Sequence, residues 1–319
     1  VIETTLGYEQ VAVDLTANLA KNEPDSYVKQ TLDFALLEDF DHLYRYACLY
    51  DYIEGGDPEV IVQGKTDVKP GRPTSIEHRH PDDSMRKHYD KDSADIKTKM
   101  NYNTIVSGEQ QTMLFYRSHG FMYPDAIARQ LYAEIAEIEE QHVTQYGLLG
   151  DPRETMLEKM AMIELNEAYN YFSCAETESD SRIRSIWEMF ARMEITHFAM
   201  CAELIRKHEG RDIRDIMKAD VIEPLIVFES NKDYVNRVID EQLDLSPHNM
   251  EFVRLRDLPD DWASFAYQRV MNAKGVPSED VVGKAVRDLA ERDQAENIRR
   301  VKQEMARRVE KGMAAVPAR

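Results

Sequence analysis

Apolar residues recur at steps of three and four along six segments, near 2–20, 26–53, 101–119, 125–148, 154–178 and 182–208. That period predicts amphipathic helices. In the second segment, Val28, Leu32, Ala35, Leu36, Leu43 and Tyr46 make one stripe. Pro24, Pro124, the glycines and proline of 147–152, and Gly210 punctuate the series. Short connections pair the segments into three helical hairpins, 1–53, 101–148 and 154–208. The 54–100 stretch differs, holding Gly55, Gly56, Pro58, Pro70, Gly71, Pro73 and Pro81. A connection of that length is expected to be a crossover or a functional element. Beyond Gly210, shorter helical pieces are expected near 212–219, 231–243 and 260–274, then a long helix near 278–312. The expectation is an all-α fold, with a helical domain over 1–208 and a helical C-terminal extension over 209–319.

Composition narrows the functional classes. The chain has 319 residues, with 59 Asp and Glu against 40 Lys and Arg, a net charge of −19. So acidic a chain is a poor nucleic-acid partner, because phosphate contacts need Lys and Arg. The last 36 residues reverse the sign, with ten basic against six acidic residues, and are read as a packing or dimerisation arm. With no 18-residue apolar run and no charged-then-apolar leader, neither a membrane span nor a signal peptide is expected. Cys48, Cys174 and Cys201 are isolated. That pattern argues against disulfides and thiolate zinc sites, and favours a cytoplasmic setting.

Four of the nine histidines have an acid three residues earlier: Asp39/His42, Glu77/His80, Glu139/His142 and Glu194/His197. On a helix this spacing aims both side chains at one point. Glu77/His80 lies in the Pro-rich stretch, within Glu77-His78-Arg79-His80, and is read as a coincidence. The other three pairs share a longer template. Glu9, Glu109 and Glu164 each precede the paired acid by 30 residues, on the preceding helix. Acids occupy nearly a fifth of the chain, so three such coincidences are improbable. The first two hairpins also agree in Pro24-Asp25 with Pro124-Asp125, and in Tyr46 with Tyr146. The template is a repeated hairpin. Its acids fall in apolar stripes, where several unpaired carboxylates repel one another unless a highly charged cation lies between them. Carboxylate and imidazole without thiolate suit iron or manganese, and zinc less well. Two such hairpins supply four carboxylates and two imidazoles, the complement of a dinuclear carboxylate centre.

These motifs resemble the ferritin-like superfamily, rubrerythrins in particular. Ser107-Gly108-Glu109-Gln110-Gln111 with Glu139-Glu140-Gln141-His142 resembles the first rubrerythrin hairpin. Glu164-Leu165-Asn166-Glu167-Ala168-Tyr169 with Glu194-Ile195-Thr196-His197 resembles the second, including an additional Glu at 167. The resemblance covers about 1–208 and implies a ferritin-like four-helix bundle holding two iron ions. It also implies peroxide reduction or ferroxidation, with Glu167 as a mobile ligand. Two departures stand out: no rubredoxin-like four-cysteine module, and three hairpins where the bundle needs two.

The candidate ligands are therefore Glu9, Asp39, His42, Glu109, Glu139, His142, Glu164, Glu167, Glu194 and His197. Chain length bears on which hairpins combine. A helix of about 22 residues is about 33 Å long. The junction at 150–153 spans at most about 17 Å and turns a corner, whereas 54–100 can cross over. Hairpins one and two are favoured on that ground, and hairpins two and three on the rubrerythrin-like motifs. Hairpin three could instead pair with hairpin one, meet its own symmetry mate, or be a decayed copy. Asp39 stands where the template has Glu, and its shorter arm reaches less far. Tyr46, Tyr116, Tyr146 and Tyr171 flank ligand positions and are read as packing. The functional expectation is redox chemistry on peroxide, dioxygen or ferrous iron, with an external electron donor and a homodimer. The alternatives are iron storage without turnover, and a helical scaffold with a structural metal.

Overall fold

Asp25, Asp95, Asp125, Thr155 and Asp180 each start a helix by accepting hydrogen bonds from N–H groups of its first turn. Thr155 and Glu158 do so reciprocally, as a capping box. The computed structural model describes residues 1–72, 87–218, 222–227 and 229–314. The cluster at 77–80 lies outside them. The long helices are α1 (Ile2–Lys21), α2 (Ser26–Glu54), α4 (Ile96–His119), α5 (Ala126–Gly147), α6 (Met156–Thr177) and α7 (Ser181–Glu209), with a short α3 (Pro58–Val62) in the crossover. Gly55 and Gly210 end α2 and α7 at φ 63° and 68°, which glycine reaches without steric cost.

One boundary moves. α4 begins at Ile96 rather than near 101, because its first turns are held by polar bonds that leave no apolar period. Lys97 Nζ donates to the carbonyl of Pro224 at 3.0 Å, and Lys99 Nζ donates to the carbonyl of Lys91 at 2.6 Å. The Thr98 hydroxyl donates to Glu23.

Helices pair α1 with α2, α4 with α5 and α6 with α7, and the first two hairpins meet through α1–α4 and α2–α5. Bonds at both ends give the directions. Asn101 Nδ2 donates to Glu23 Oε2 at 2.7 Å, so α4 starts at the α1–α2 turn. The Thr5 and Tyr132 hydroxyls lie 2.7 Å apart, so the start of α1 sits beside α5, near the α4–α5 turn. α2 and α4 therefore run parallel, and the 54–100 stretch crosses the length between them. Leu6, Val13, Leu32, Leu36, Phe40, Leu43, Leu131 and Ile135 fill the space between these hairpins. The third hairpin joins through α6 against α4, where Thr104 Oγ1 donates to Asn166 Oδ1 at 3.0 Å.

The C-terminal part is helical but folds back on the core. It comprises α8 (Ile213–Ile216), α9 (Lys232–Gln242), α10 (Ala263–Met271) and α11 (Pro277–Ala314). Tyr234, Val235 and Val238 of α9 and Val281 of α11 enter the main core. Within the extension, Leu245–His248 (β1) and Glu251–Arg254 (β2) form an antiparallel hairpin that the helical period does not foresee. Asn249 takes the turn at φ 61°, and Phe252 packs on Phe34 with ring centroids 4.9 Å apart. No helix among the described residues is long and apolar enough to cross a membrane.

Gly71 has a packing reason. A Cβ there would lie 2.4 Å from the Leu37 carbonyl and 2.6 Å from the Asp41 nitrogen. Its absence lets the crossover press on α2, where the Arg72 N–H donates to the Leu37 carbonyl at 3.1 Å. Gly71→Ala is expected to lower stability by about 1–3 kcal/mol, read as a lower urea midpoint. An unchanged midpoint would mean that the crossover does not need this approach.

Candidate metal centre

Four helices each bring candidate ligands to one dry point. α1 supplies Glu9, α2 supplies Asp39 and His42, α4 supplies Glu109, and α5 supplies Glu139 and His142; none is more than 3% exposed. Their atoms form two groups. Asp39, Glu109, Glu139 and His142 gather within 4.8 Å of one another, and so do Glu9, His42 and Glu139. Glu139 belongs to both. Its Oε1 lies 3.0 Å from His42 Nδ1 and its Oε2 lies 3.0 Å from His142 Nδ1. His142 Nδ1 is also 3.4 Å from Glu109 Oε2 and 3.5 Å from Asp39 Oδ1, and His42 Nδ1 is 4.0 Å from Glu9 Oε2. Ligands bound at about 2.1 Å around one ion sit roughly 3.0–3.4 Å apart, so most of these spacings fit. The donor set fits as well. Glu9 Oε2, Asp39 Oδ1 and Glu109 Oε1 are buried without a hydrogen-bond partner among the described residues, as expected of lone pairs reserved for a cation.

Electrostatics within the cluster points the same way. Burial first, then the neighbouring carboxylates, raises Glu9 and Asp39 well above the ordinary carboxylate range. Burial and Glu139 push Glu109 up to about 8. The two histidines diverge. Burial, Arg45 and His142 hold His42 well below its usual value. For His142 burial acts the same way but is outweighed by Glu109, Glu139 and Glu38, and its value stands well above normal.

A surrounding shell holds the ligands in place. His142 Nε2 lies 2.5 Å from Glu38 Oε2, and Glu38 Oε1 is 3.7 Å from Arg72 Nη1. The Arg72 guanidinium stacks 3.6 Å over the Phe34 ring and donates to the Phe34 carbonyl at 2.8 Å. Arg45 spans Asp41 at 2.6 Å and Glu134 at 3.0 Å, and Ser278 at the start of α11 donates to Glu134 at 3.1 Å. The Tyr116 hydroxyl donates to Glu9, so Tyr116 serves the cluster directly and is more than packing. Tyr46 packs on Tyr116 at 5.2 Å, and Tyr146 lies 6.3 Å from the His142 ring. Spacing rules miss Glu38 and Arg72. Glu38 adjoins Asp39 in a fully buried run of α2, and that density of acids in an apolar helix is the available signal. Arg72 comes from the crossover and carries none.

Hairpin three stands apart. Glu164, Glu194 and His197 form their own group, with His197 Nδ1 at 2.7 Å from Glu194 Oε2 and 3.4 Å from Glu164 Oε2. Glu167 is not in that group and lines a groove of about 350 Å³ with Tyr8, Thr112 and Glu109. Tyr171 stacks on Trp187 at 6.0 Å.

Comparison with protein-family models, curated proteins and solved structures gives no match. What the site can do is read from its own residues. Without metal, Glu109 in the folded chain keeps, up to about pH 8, a proton that the unfolded chain releases near the ordinary value of 4.5. Its contribution to stability is thus present below that lower value and is lost as pH rises through the upper one. The chelated protein is expected to show a lower denaturation midpoint at about pH 8 than at about pH 5, and Glu109→Gln should flatten the slope. A midpoint that rises across this window would show that Glu109 is ionised in the fold.

Proposed function

We propose that the chain is a dinuclear carboxylate metalloprotein of ferritin-like, rubrerythrin-like type, acting as an oxidoreductase on peroxide, dioxygen or ferrous iron. The observation that carries this reading is Glu139, a single carboxylate shared by two ligand groups that each contain one imidazole. Glu9 and His42 would hold one ion, and Glu109, His142 and Asp39 the other, with Glu139 between them. Oxygen and imidazole donors suit iron first, then manganese, with zinc as a redox-inert substitute. A pair of iron ions supplies reversible ferrous–ferric electron transfer to a bound oxidant.

The protein's own groups have distinct tasks. Glu38 accepts from His142 Nε2 and so directs Nδ1 at the cluster. The Tyr116 hydroxyl fixes Glu9. The Leu, Phe and Tyr shell excludes water, while the groove lined by Glu109 offers small oxidants a path from outside. The electron donor is a separate molecule.

The test is metal counting with aerobic and peroxide assays. Glu139→Gln is expected to remove about two ions per chain and to abolish peroxide loss driven by an external reductant. Mineral accumulation without turnover would support storage instead. Unchanged metal content in that variant sinks the reading. Glu38→Gln is expected to keep the fold but to weaken binding on the His142 side by roughly 10–100-fold, measured by competition with a chelating dye. Equal affinity would mean that Glu38 does not orient the ligand.

A further inference from the structure

The half-site on hairpin three is flanked by exposed apolar residues in a regular order. On α7, Ile186, Met193, Met200 and Leu204 are 36–61% exposed, and with half-buried Phe190 they bracket His197 at steps of three and four. On α6, Met156, Met160 and Ile163 are 39–72% exposed and lead to Glu167 by the same steps. That spacing is the seam of a helix facing another helix. The His197 side chain at its centre is 47% exposed, while His42 and His142 in the buried centre are at 0%.

The chain itself shows what completes such a half. In the buried centre, each hairpin supplies one Glu from its first helix, and an acid and a His from its second. Each is finished by another hairpin of the same template. There α2 and α5 run antiparallel, with the His42 and His142 rings 5.8 Å apart. Hairpins one and two already occupy each other, and among the described residues the third group has three members only. Among the described residues no fourth ligand group of this chain faces it, so a second copy of the same hairpin is the complement the template offers.

We infer that hairpin three pairs with hairpin three of a second copy, forming an intersubunit metal site with Glu164, Glu194 and His197 from each chain. A two-fold axis beside His197 makes every required ligand available by symmetry. An antiparallel α7 pairing centred there sets Phe190 opposite Leu204 and brings Met193 beside Met200, so apolar meets apolar. Four converging carboxylates repel one another without a cation, so assembly is linked to metal. This site is separate from the buried centre and does not depend on that centre's chemistry.

Sedimentation velocity and metal counting on the full chain, with EDTA or with Zn(II), test it. The expected result is a monomer in EDTA, and with Zn(II) a dimer holding about three ions per chain, one of them at the interface. Glu194→Ala with His197→Ala should give a monomer that keeps about two. Met200→Lys, which leaves the ligands in place, should also lose the dimer. A dimer with about one ion per chain that the double variant abolishes would uphold the interface and sink only the buried centre. A monomer in Zn(II), or a dimer that survives the double variant, overturns the inference. Circular dichroism checks that both variants fold; His197 and Met200 are exposed side chains, and Glu194 is partly buried.

Discussion

Five carboxylates and two imidazoles share one dry space: Glu9, Glu38, Asp39, Glu109, Glu139, His42 and His142. Each buried charge without compensation costs several kcal/mol. Two histidines cannot offset five acids, even with the Arg72 guanidinium 3.7 Å from Glu38. The remaining excess requires protons or cations, and burial together with mutual repulsion raises Glu9, Asp39 and Glu109 above the ordinary carboxylate range. The scaffold is arranged around this demand. Aspartate caps start the ligand-bearing helices α2, α4 and α5. The crossover makes α2 and α4 parallel, so ligands from the middle of each helix meet at one level. α9 and α11 close the outside, and Ser278 meets the Arg45–Glu134 pair there.

Much of this is legible in sequence because a helix converts spacing into direction. An acid and a histidine three apart must share a face, and a Glu 30 residues earlier returns to the same level across a tight turn. The helical hairpins follow from that rule, and so does the convergence within each hairpin; that hairpins one and two bring Glu9, Asp39, His42, Glu109, Glu139 and His142 together accords with the long crossover between them. What spacing cannot convey is contact between elements far apart in the chain. Arg72 reaches Glu38 because Gly71 permits close approach, a fact about packing rather than period. The first turns of α4 hide because Lys97, Thr98 and Lys99 are buried by polar bonds. The β1–β2 hairpin hides because Pro247 and Asn249 read as a loop, and only Phe252 against Phe34 shows that the loop is fixed.

Hairpin three shows the limit of local code from the other side. It repeats the template, yet His197 is half exposed while His42 and His142 are sealed. Spacing sets which side chains converge, and burial is set by what packs against them. The rubrerythrin-like motifs point to hairpins two and three, but α4 and α5 face α1 and α2. The end of the crossover at which α4 begins is held at the α1–α2 turn by Glu23. Connection length outweighs motif likeness here.

The buried centre is itself unequal, and one methylene group accounts for part of that. Asp39 and Glu139 hold equivalent places in the repeat, but the longer Glu139 reaches both ligand groups and Asp39 only the one around His142. The one side chain common to both groups therefore comes from α5. The outer contacts deepen the difference: His142 has Glu38 behind its Nε2, whereas His42 Nε2 has no hydrogen-bond partner among the described residues. A histidine backed by a carboxylate is fixed in orientation and more basic as a ligand. The position around His142 gathers three carboxylates and the better-oriented imidazole. The position around His42 gathers two carboxylates, Glu9 and Glu139, and an imidazole held through Nδ1 alone, so the two halves of the cluster are chemically unequal.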